Sequence, residues 1–216
     1  MKKQLNIIDC TRVLDNGAPS YPNDTPFELT MHKTYHKDGY TLSSLKSSVH
    51  NGTHIDAPSH ISASTICASD FDLNKGISRA KVFDCYNQMH IELSNSQLAS
   101  VRENDIVVLY TGWDQYYSTE KYYTHPVVSI STAQQLVDKK IALIVLDMPS
   151  LDFYPFDVHQ LLFNHGIWIV ENTTNLHQLN KDKEYTMYVI PMKIKAEAAS
   201  VRVFAIEKSD ELRYTK

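Results

Sequence analysis

His50-Asn-Gly-Thr-His-Ile-Asp-Ala-Pro-Ser-His60 is the stretch of sequence on which the interpretation of this chain depends. It gathers three histidines and one aspartate around a glycine and a proline. Gly52 permits a backbone turn with positive φ, and Pro58 stiffens the exit from that turn. Because His54 and Asp56 would diverge on a straight helix, we expect a loop that aims these side chains inward.

The side chains of this segment are of the types that bind divalent cations. Imidazole nitrogen and carboxylate oxygen are ligands of zinc, manganese and iron(II), and a cation needs several of them converging on one point. The local candidates are His50, His54, Asp56 and His60. The alternative is that they are solvated loop side chains or cap neighbouring backbone. Their clustering around a glycine and a proline favours a metal centre.

The second half of the chain offers further ligands. Glu171 directly follows the apolar run Ile167 to Val170, and His159 precedes that run. Spacing alone leaves two interpretations of Glu171 equally supported, a metal ligand or the first residue of a solvated turn. His165 stands beside Gly166 at an expected helix end, where an imidazolium interacts favourably with the helix dipole, so we assign it a structural role.

A histidine left over beside a metal ion suits proton transfer near neutral pH. Our candidate for this acid/base is His60, which follows Pro58 at the end of the segment. A bound cation lowers the pKa of a coordinated water toward about 7 and polarises a carbonyl oxygen. The chemistry expected is therefore hydrolysis of an amide or a related bond by metal-activated water.

Length and composition fit one globular domain with its own hydrophobic core. The 216 residues are 43% hydrophobic and 21% charged, without an internal repeat or a flexible linker, so we predict a single domain over residues 1–216. Short apolar or β-branched runs predict strands at Asn6 to Ile8, Lys81 to Phe83, Ile106 to Tyr110, Ile141 to Leu146, Ile167 to Val170, Tyr188 to Ile190 and Val201 to Ile206.

Helical spacing predicts helices between these strands, at Ser94 to Val101, Ser131 to Lys139 and Phe156 to Asn164. Ser94 and Ser131 are the expected N-caps, and Gly166 is the expected stop of the last helix. The Ser- and Thr-rich stretch Tyr40 to Val49 is interpreted as a further strand. The class predicted is α/β with a mixed sheet, and ligands are expected beyond the carboxyl ends of the strands that end at Tyr110 and Leu146.

Charge and cysteine usage narrow the partners. The net charge is −4 and the 21 basic residues are scattered, so we expect no nucleic acid partner. No apolar run approaches the ~20 residues of a membrane span, and the start of the chain lacks a signal peptide core, so we expect no membrane and a cytoplasmic location.

Cys10, Cys67 and Cys85 form no CxxC pair; they are expected to be reduced, with Cys67 and Cys85 packing in the interior. No GxSxG, P-loop or GxGxxG motif supports another class of catalysis.

The pattern HxGTHxDxPxH resembles the signature of the cyclase family of metal-dependent hydrolases, which includes bacterial kynurenine formamidases and isatin hydrolases. The resemblance extends in order over nearly the whole chain. Its further blocks are Ile8-Asp-Cys-Thr11, Tyr21-Pro-Asn-Asp24, Thr111-Gly-Trp113, Leu146-Asp-Met-Pro-Ser-Leu-Asp152, His159, Gly166-Ile-Trp-Ile-Val-Glu171 and Pro191-Met-Lys-Ile194.

This resemblance implies a swivelling β/β/α-type single domain, one or two divalent ions, with Zn²⁺ favoured and Mn²⁺ as the alternative, and a homodimer or higher homo-oligomer. By the same resemblance, the first ion's ligands are His50, His54, Asp56 and Glu171. Asp56 and Glu171 are shared with the second ion, which also takes His159. His60 matches the family's catalytic acid/base.

The departures from the family concern the substrate. Kynurenine formamidases carry Trp or Phe before the Pro-Gly-Asp block, whereas Tyr21 precedes Pro22 here. Tyrosine stacks on an aryl ring but also offers a hydroxyl, so Tyr21 is the expected substrate-binding residue. The expected small-molecule substrate is N-formylkynurenine or a related aryl amide or lactam. The segment Lys195 to Ser200 lacks the family's usual Gly and Pro, so its shape is expected to differ.

Two other functions stay open at this point, a metal-dependent cyclase or dehydratase and a non-catalytic metal-binding module. The tyrosine-rich segment 116–123 is likewise open. It either packs its own aromatic rings against the sheet, or it lines an aromatic pocket or a dimer surface.

Overall fold

The strands of the computed structural model, which describes residues 5–208, form a sheet that closes on itself. The strands are β1 Ile7–Asp9, β2 Glu28–Lys33, β3 Leu42–Lys46, β4 His54–Asp56, β5 Ile77–Asp84, β6 His90–Ile91, β7 Ile106–Tyr110, β8 Val127–Val128, β9 Leu143–Leu146, β10 Trp168–Glu171, β11 Tyr185–Pro191 and β12 Ala198–Glu207. The α-helices are α1 Tyr35–Asp38, α2 Asn95–Leu98, α3 Ile130–Asp138 and α4 Asp157–Asn164. Single 3₁₀ turns cover Pro58–His60, Ala68–Asp70, Trp113–Tyr116, Glu120–Tyr123 and Leu176–Gln178.

The closed ring runs in the order β12, β11, β5, β7, β9, β10 and β4, and β4 returns to β12. Strands β5, β7, β9 and β10 are parallel, while β4, β12 and β11 pair antiparallel with their neighbours. Strand β1 pairs with Phe204 to Ile206 of β12, beyond the residues of β12 that pair with β4. The predicted α/β class with a mixed sheet is confirmed. The sequence did not predict that the sheet closes, because apolar runs alone do not reveal that β12 has partners on both edges.

Alternation along the strands divides the apolar residues between two cores. Ile106 and Val108 belong to the core inside the ring, to which every ring strand contributes. Val107 and Leu109 belong to the second core, which lies between the ring and helices α3 and α4. The central strands are therefore buried on both faces, as their unbroken apolar runs predict.

Strand β4 uses this alternation to present polar side chains. Ile55 points into the ring core, so its neighbours His54 and Asp56 point to the opposite face, the one that α4 covers. On β10, Ile169 belongs to the core on that same outer face, and Glu171 shares its parity. The sheet thus brings polar groups from β4 and β10 onto one face.

Several element boundaries differ from the sequence prediction. Helix α3 begins after Ser129, whose Oγ accepts a hydrogen bond from Thr132 N at 3.2 Å, so the prediction of Ser131 as N-cap is wrong. Ser131 lies within the first turn of α3, whereas Ser129 has the extended backbone of an N-cap. Ser94 is confirmed as the N-cap of α2, although this helix is one turn long. Cys67 is partly exposed, so it is not the interior packing residue expected.

The strand expected near residues 40–49 is β3, and it pairs with β2, which the sequence did not predict. Both strands of this hairpin are solvent-exposed along nearly their full length. Within residues 5–208, no helix is both long and apolar enough to cross a bilayer. The prediction of one domain over residues 1–216 stays a prediction, since 1–4 and 209–216 lie outside the described residues.

Candidate metal centre

Strand pairing sets the positions of the central residues of the site. His54 on β4 lies opposite Glu171 on β10, and the same His54 lies opposite Ser200 on β12. Asp56 is two residues further along β4 and therefore projects on the same face as His54. His54, Asp56 and Glu171 are all at least 96% buried, since their exposed fractions are 2%, 1% and 4%.

The side chains from β4 and β10 converge with two further histidines, His50 and His159. Asp56 Oδ1 lies 3.3 Å from His54 Nε2 and 3.1 Å from His50 Nδ1. Glu171 turns one oxygen to each side: Oε2 lies 3.6 Å from His54 Nε2, and Oε1 lies 3.4 Å from Nε2 of His159, which comes from α4. The structure therefore brings together all five residues expected as ligands, with Asp56 and Glu171 in the middle.

Three polar atoms at the centre of this cluster are buried without a hydrogen-bond partner, namely His54 Nε2, Asp56 Oδ1 and Glu171 Oε1. Leaving such atoms unpaired costs about 1–3 kcal/mol each. A divalent cation accepts electron pairs from all three at once, and nitrogen and carboxylate donors are its usual ligands in proteins. The chemistry of the donor set thus fits a metal ion.

The pKa values of the central side chains are shifted because several charged groups lie close together. Burial alone would lower the pKa of His54, but Asp56 and Glu171 outweigh it and raise that pKa to about 9. Burial would likewise lower the pKa of His159, but the carboxylates of Asp152 and Glu171 beside its ring outweigh burial and raise that pKa to about 10. Burial and the charge of Asp56 raise the pKa of Glu171. Metal binding at these side chains is therefore expected to compete with protons.

His60 occupies a different position from the buried ligands. It ends the 3₁₀ turn Pro58–His60 at the solvent-exposed mouth of the site, and its ring centroid lies 4.3 Å from that of His50 and 6.5 Å from that of His159. Partial burial lowers the pKa of His60 to about 4, and the neighbouring histidines act in the same direction. His60 is therefore a neutral base at physiological pH. A nitrogen of His60 also lies within 4.8 Å of donor atoms of His50 and Asp56.

Two of the candidate ligand histidines, His54 and His159, are oriented through their second ring nitrogen. His54 Nδ1 lies 2.9 Å from the carbonyl oxygen of Gly52, whose φ is +66° as expected from the sequence. His159 Nδ1 is hydrogen-bonded to the carboxylate of Asp152. The sequence alone assigns Asp152 no role, because it lies seven positions before His159, and the irregular segment 153–156 comes between Asp152 and helix α4.

A cavity of about 530 Å³ opens onto this cluster, and its lining includes four tyrosines and one phenylalanine. Tyr21 contacts Tyr123 edge to face, with ring centroids 5.7 Å apart. The cavity is lined by Pro19, Tyr21, Asp24, Ser48, His50, His54, His60, Ile61, Tyr117, Tyr122, Tyr123, Pro149, Ser150, Phe156, His159, Glu171, Asn172 and Glu197. Tyr117, Tyr122 and Tyr123 of the tyrosine-rich segment 116–123 therefore line a pocket, which is one of the roles that the sequence left open for this segment.

Polar residues beyond the strand ends divide between two roles. Ser150, four residues past β9, lines the cavity, as expected for this edge of the sheet. Asp147 does not line it; its carboxylate accepts hydrogen bonds from Thr111 N, Thr111 Oγ1 and Gly112 N, at 3.1, 2.5 and 2.8 Å. His165 also lies apart, exposed at the end of α4, where Nδ1 is 2.8 Å from Leu161 O. It has the structural role assigned from the sequence.

The chain has a closed mixed sheet, and a buried cluster of His, Asp and Glu side chains lies beside a cavity. These features define an α/β protein with a divalent metal site. The particular family follows from the sequence. The profile of the Cyclase family, described as "Putative cyclase", matches residues 8–153. The chain belongs to this family.

Relatives and solved structures agree with this assignment. The chain is 31% identical over 205 residues to the kynurenine formamidase of Bacillus mycoides, covering 90% of this chain and 94% of the relative. A predicted metal-dependent hydrolase from Bacillus stearothermophilus superposes with a TM-score of 0.77 at 25% identity, covering 94% and 99% of the two chains. An isatin hydrolase bound to the product analogue thioisatinate shares the fold, with a TM-score of 0.83 at 22% identity and coverage of 94% and 92%.

Proposed function

We propose that this protein is a metal-dependent amidohydrolase that acts on an aryl formamide such as N-formylkynurenine, or on a related aryl amide or lactam. The observation that carries the proposal is the set of unpaired buried atoms on His54, Asp56 and Glu171, next to the neutral base His60 and an aromatic cavity. Similarity over 90% of the chain to a kynurenine formamidase supports the amide as substrate.

The ion is proposed to be Zn²⁺, with Mn²⁺ as the alternative, and two ions are proposed to bind. His50, His54, Asp56 and Glu171 would hold the first; Asp56, Glu171 and His159 would hold the second. Support for two comes from Glu171, whose two oxygens face different histidines. When bound, such ions supply Lewis acidity to the scissile carbonyl and to water.

The remaining roles belong to this chain's own side chains. His60 is the proposed acid/base: as a neutral base at the mouth of the cavity, it would accept at Nδ1 or Nε2 a proton from the attacking water and return it to the leaving nitrogen. Tyr21 and Tyr123 form an edge-to-face pair on which the aryl ring of the substrate would pack. Tyr122 OH donates to Asn172 Oδ1 at 2.7 Å and keeps this side of the cavity rigid.

The test combines metal content with turnover. Protein purified without chelator is analysed by elemental mass spectrometry and assayed against aryl formamides and lactams, beside His54→Ala and the control His177→Ala on an exposed turn. We expect bound zinc or manganese and hydrolysis, both lost in His54→Ala only. A lactam should then give one product heavier by one water, and a formamide should give an amine and formate whose masses together exceed that of the substrate by one water. Absence of metal, even after zinc or manganese is added, would refute the proposal and favour a binding module. Products whose masses together lack the added water would favour a cyclase or dehydratase.

We also propose a homodimer or a higher homo-oligomer, in a cytoplasmic setting. Leu29 and Leu45 are directly paired across the β2–β3 hairpin and share a face with Met31, and all three are exposed, by 46%, 64% and 61%. An exposed apolar face on a hairpin favours association with a second copy. Light scattering on the wild type and on Leu45→Glu checks this: a dimer that becomes a monomer supports it, and a wild-type monomer contradicts it.

A further inference from the structure

Asp152 is a buried carboxylate with contacts to both the backbone and a metal-ligand side chain. Only 8% of the surface of Asp152 is exposed. Oδ1 is hydrogen-bonded to His159 Nδ1, while Oδ2 accepts hydrogen bonds from Val158 N at 2.7 Å and from His159 N at 3.4 Å. One carboxylate therefore binds the first turn of α4 and the ring of a histidine on that turn.

The first turn of α4 needs an external partner. Its N-cap, Phe156, has a left-handed backbone with φ +65° and supplies no side-chain cap. Helix N-termini leave backbone N–H groups unpaired, and a carboxylate there is favoured by the helix dipole. Asp152 meets this need from the preceding loop, so its position is set by the helix and does not depend on His159 alone.

This arrangement dictates which nitrogen of His159 is free. An ionised carboxylate only accepts hydrogen bonds, so Nδ1 must carry the proton that is shared with Asp152. The lone pair of the neutral ring then lies on Nε2, which faces Glu171 Oε1 at 3.4 Å. In contrast, His54 is anchored by a backbone carbonyl, and His50 Nε2 lies 3.8 Å from Glu197, a carboxylate that is about half exposed.

We propose that Asp152 is a positioning residue that fixes the ring and tautomer of His159 and thereby sets the affinity of the second of two cation subsites. The inference rests on the function proposed above, because it requires that Glu171 and His159 share a cation. It assigns to Asp152 a role separate from that of the ligands: the first subsite, around His54 and Asp56, does not contact it.

The substitution Asp152→Asn tests this role while sparing the helix. The Asn side-chain oxygen still accepts from Val158 N, whereas its NH₂ group would donate to His159 Nδ1 and place the ring proton on Nε2. Metal-free protein is titrated with Zn²⁺ by calorimetry. We expect two equivalents in the wild type, and in Asp152→Asn a second equivalent weakened by about 10- to 100-fold with the first unchanged. The exposed Asp182→Asn is the matched control.

Two further measurements separate positioning from loss of fold. Nitrogen-15 NMR of histidine-labelled protein loaded with one equivalent of zinc, which fills the first subsite, should show Nδ1 of His159 protonated in the wild type but not in Asp152→Asn. His159→Ala should lose the same second equivalent, with no further loss in the double variant. Two equivalents of unchanged affinity in Asp152→Asn, or one equivalent in the wild type, would overturn the positioning role and leave the hydrolase proposal standing. A wild type that binds no zinc would instead remove the hydrolase proposal.

Discussion

His54 and Glu171 lie directly opposite each other on the antiparallel strands β4 and β10, and their side chains meet on the outer face of the ring. Their nearest atoms, Nε2 and Oε2, are 3.6 Å apart. The geometry of the site is therefore part of the hydrogen-bonded register of the sheet. A shift of one residue between these strands would turn one of the two side chains into the core.

Because the site is built into the sheet, metal binding should stabilise the fold. At a free metal concentration 100 times its dissociation constant, an ion adds about 2.7 kcal/mol to the free energy of unfolding. For a chain of this size we expect the melting temperature to rise by roughly 5–10 °C. The change should largely vanish in Glu171→Gln and persist in the exposed control Glu184→Gln, as measured by calorimetry with metal and with chelator. An equal rise in Glu171→Gln would show that Glu171 is not a ligand.

Replacing His60 should separate chemistry from metal binding. We expect His60→Gln to lower kcat by about 10²- to 10⁴-fold, because the variant cannot accept a proton at that position. Metal content should remain that of the wild type, as measured by elemental mass spectrometry on the same samples used for kinetics. Since His60 also lies near His50 and Asp56, a variant that loses metal together with activity would make His60 a ligand instead of an acid/base.

Replacing Tyr21 tests the aromatic wall. Tyr21→Ala removes the ring on which the aryl group of the substrate is proposed to pack, a type of interaction worth about 0.5–1.5 kcal/mol, so KM for an aryl formamide should rise by about 2- to 10-fold. Tyr21→Phe keeps the ring and should stay close to the wild type. Tyr35→Ala, which removes an exposed ring on α1, is the control. If Tyr21→Ala and the wild type share one KM, Tyr21 does not bind the substrate.

The turn before β4 should be sensitive to a single methyl group. At Gly52 an added Cβ would lie 2.5 Å from Leu14 Cδ2, at a φ of +66°. Gly39 has a φ of +78°, but nothing lies within 4 Å of an added Cβ, so it isolates the backbone cost of about 1 kcal/mol. We expect Gly52→Ala to cost about 1–3 kcal/mol, more than Gly39→Ala, and to weaken metal binding, since Gly52 O holds His54. Urea unfolding of both variants makes the comparison, and equal costs would contradict it.

Asp147 should make stability depend on pH. Burial raises its pKa from 3.8 to about 7, although hydrogen bonds from Thr111 and Gly112 oppose the shift. The folded state then binds the proton more tightly than the unfolded state. The stabilisation is fully present below pH 3.8 and is lost as the pH rises toward 7, by at most about 1.4 kcal/mol per pH unit. Between pH 4 and 7, unfolding of chelator-treated Asp147→Asn should show a flatter profile than the wild type; parallel profiles would refute this.

The sequence could predict the residues whose chemistry is local. His50, His54, Asp56 and His60 fall within one segment, and the turn at Gly52 has the positive φ that its residue type allows. The buried strands were likewise visible, because β7 and β9 are unbroken apolar runs. Glu171 could be placed at a strand end but not assigned by spacing, since its partner on β4 is more than 100 residues away along the chain.

What the sequence could not predict depends on contacts between distant segments. The contact of Asp152 with His159 requires a loop whose path no periodicity describes. The pairing of β12 with both β4 and β11 requires knowledge of which strand edges remain free. Ser129 and Ser131 are both good N-caps by residue type, and only the backbone decides between them.

Strand β12 closes the ring, and it is also the last strand in the described chain. All five proposed ligands precede it in the sequence, yet β4, which carries two of them, gains its second neighbour only when residues 198–200 arrive. During synthesis, residues up to 200 must therefore leave the ribosome before the proposed ligand strand is held on both edges. We expect a chain truncated before Ala198 to expose its histidines without retaining an ion.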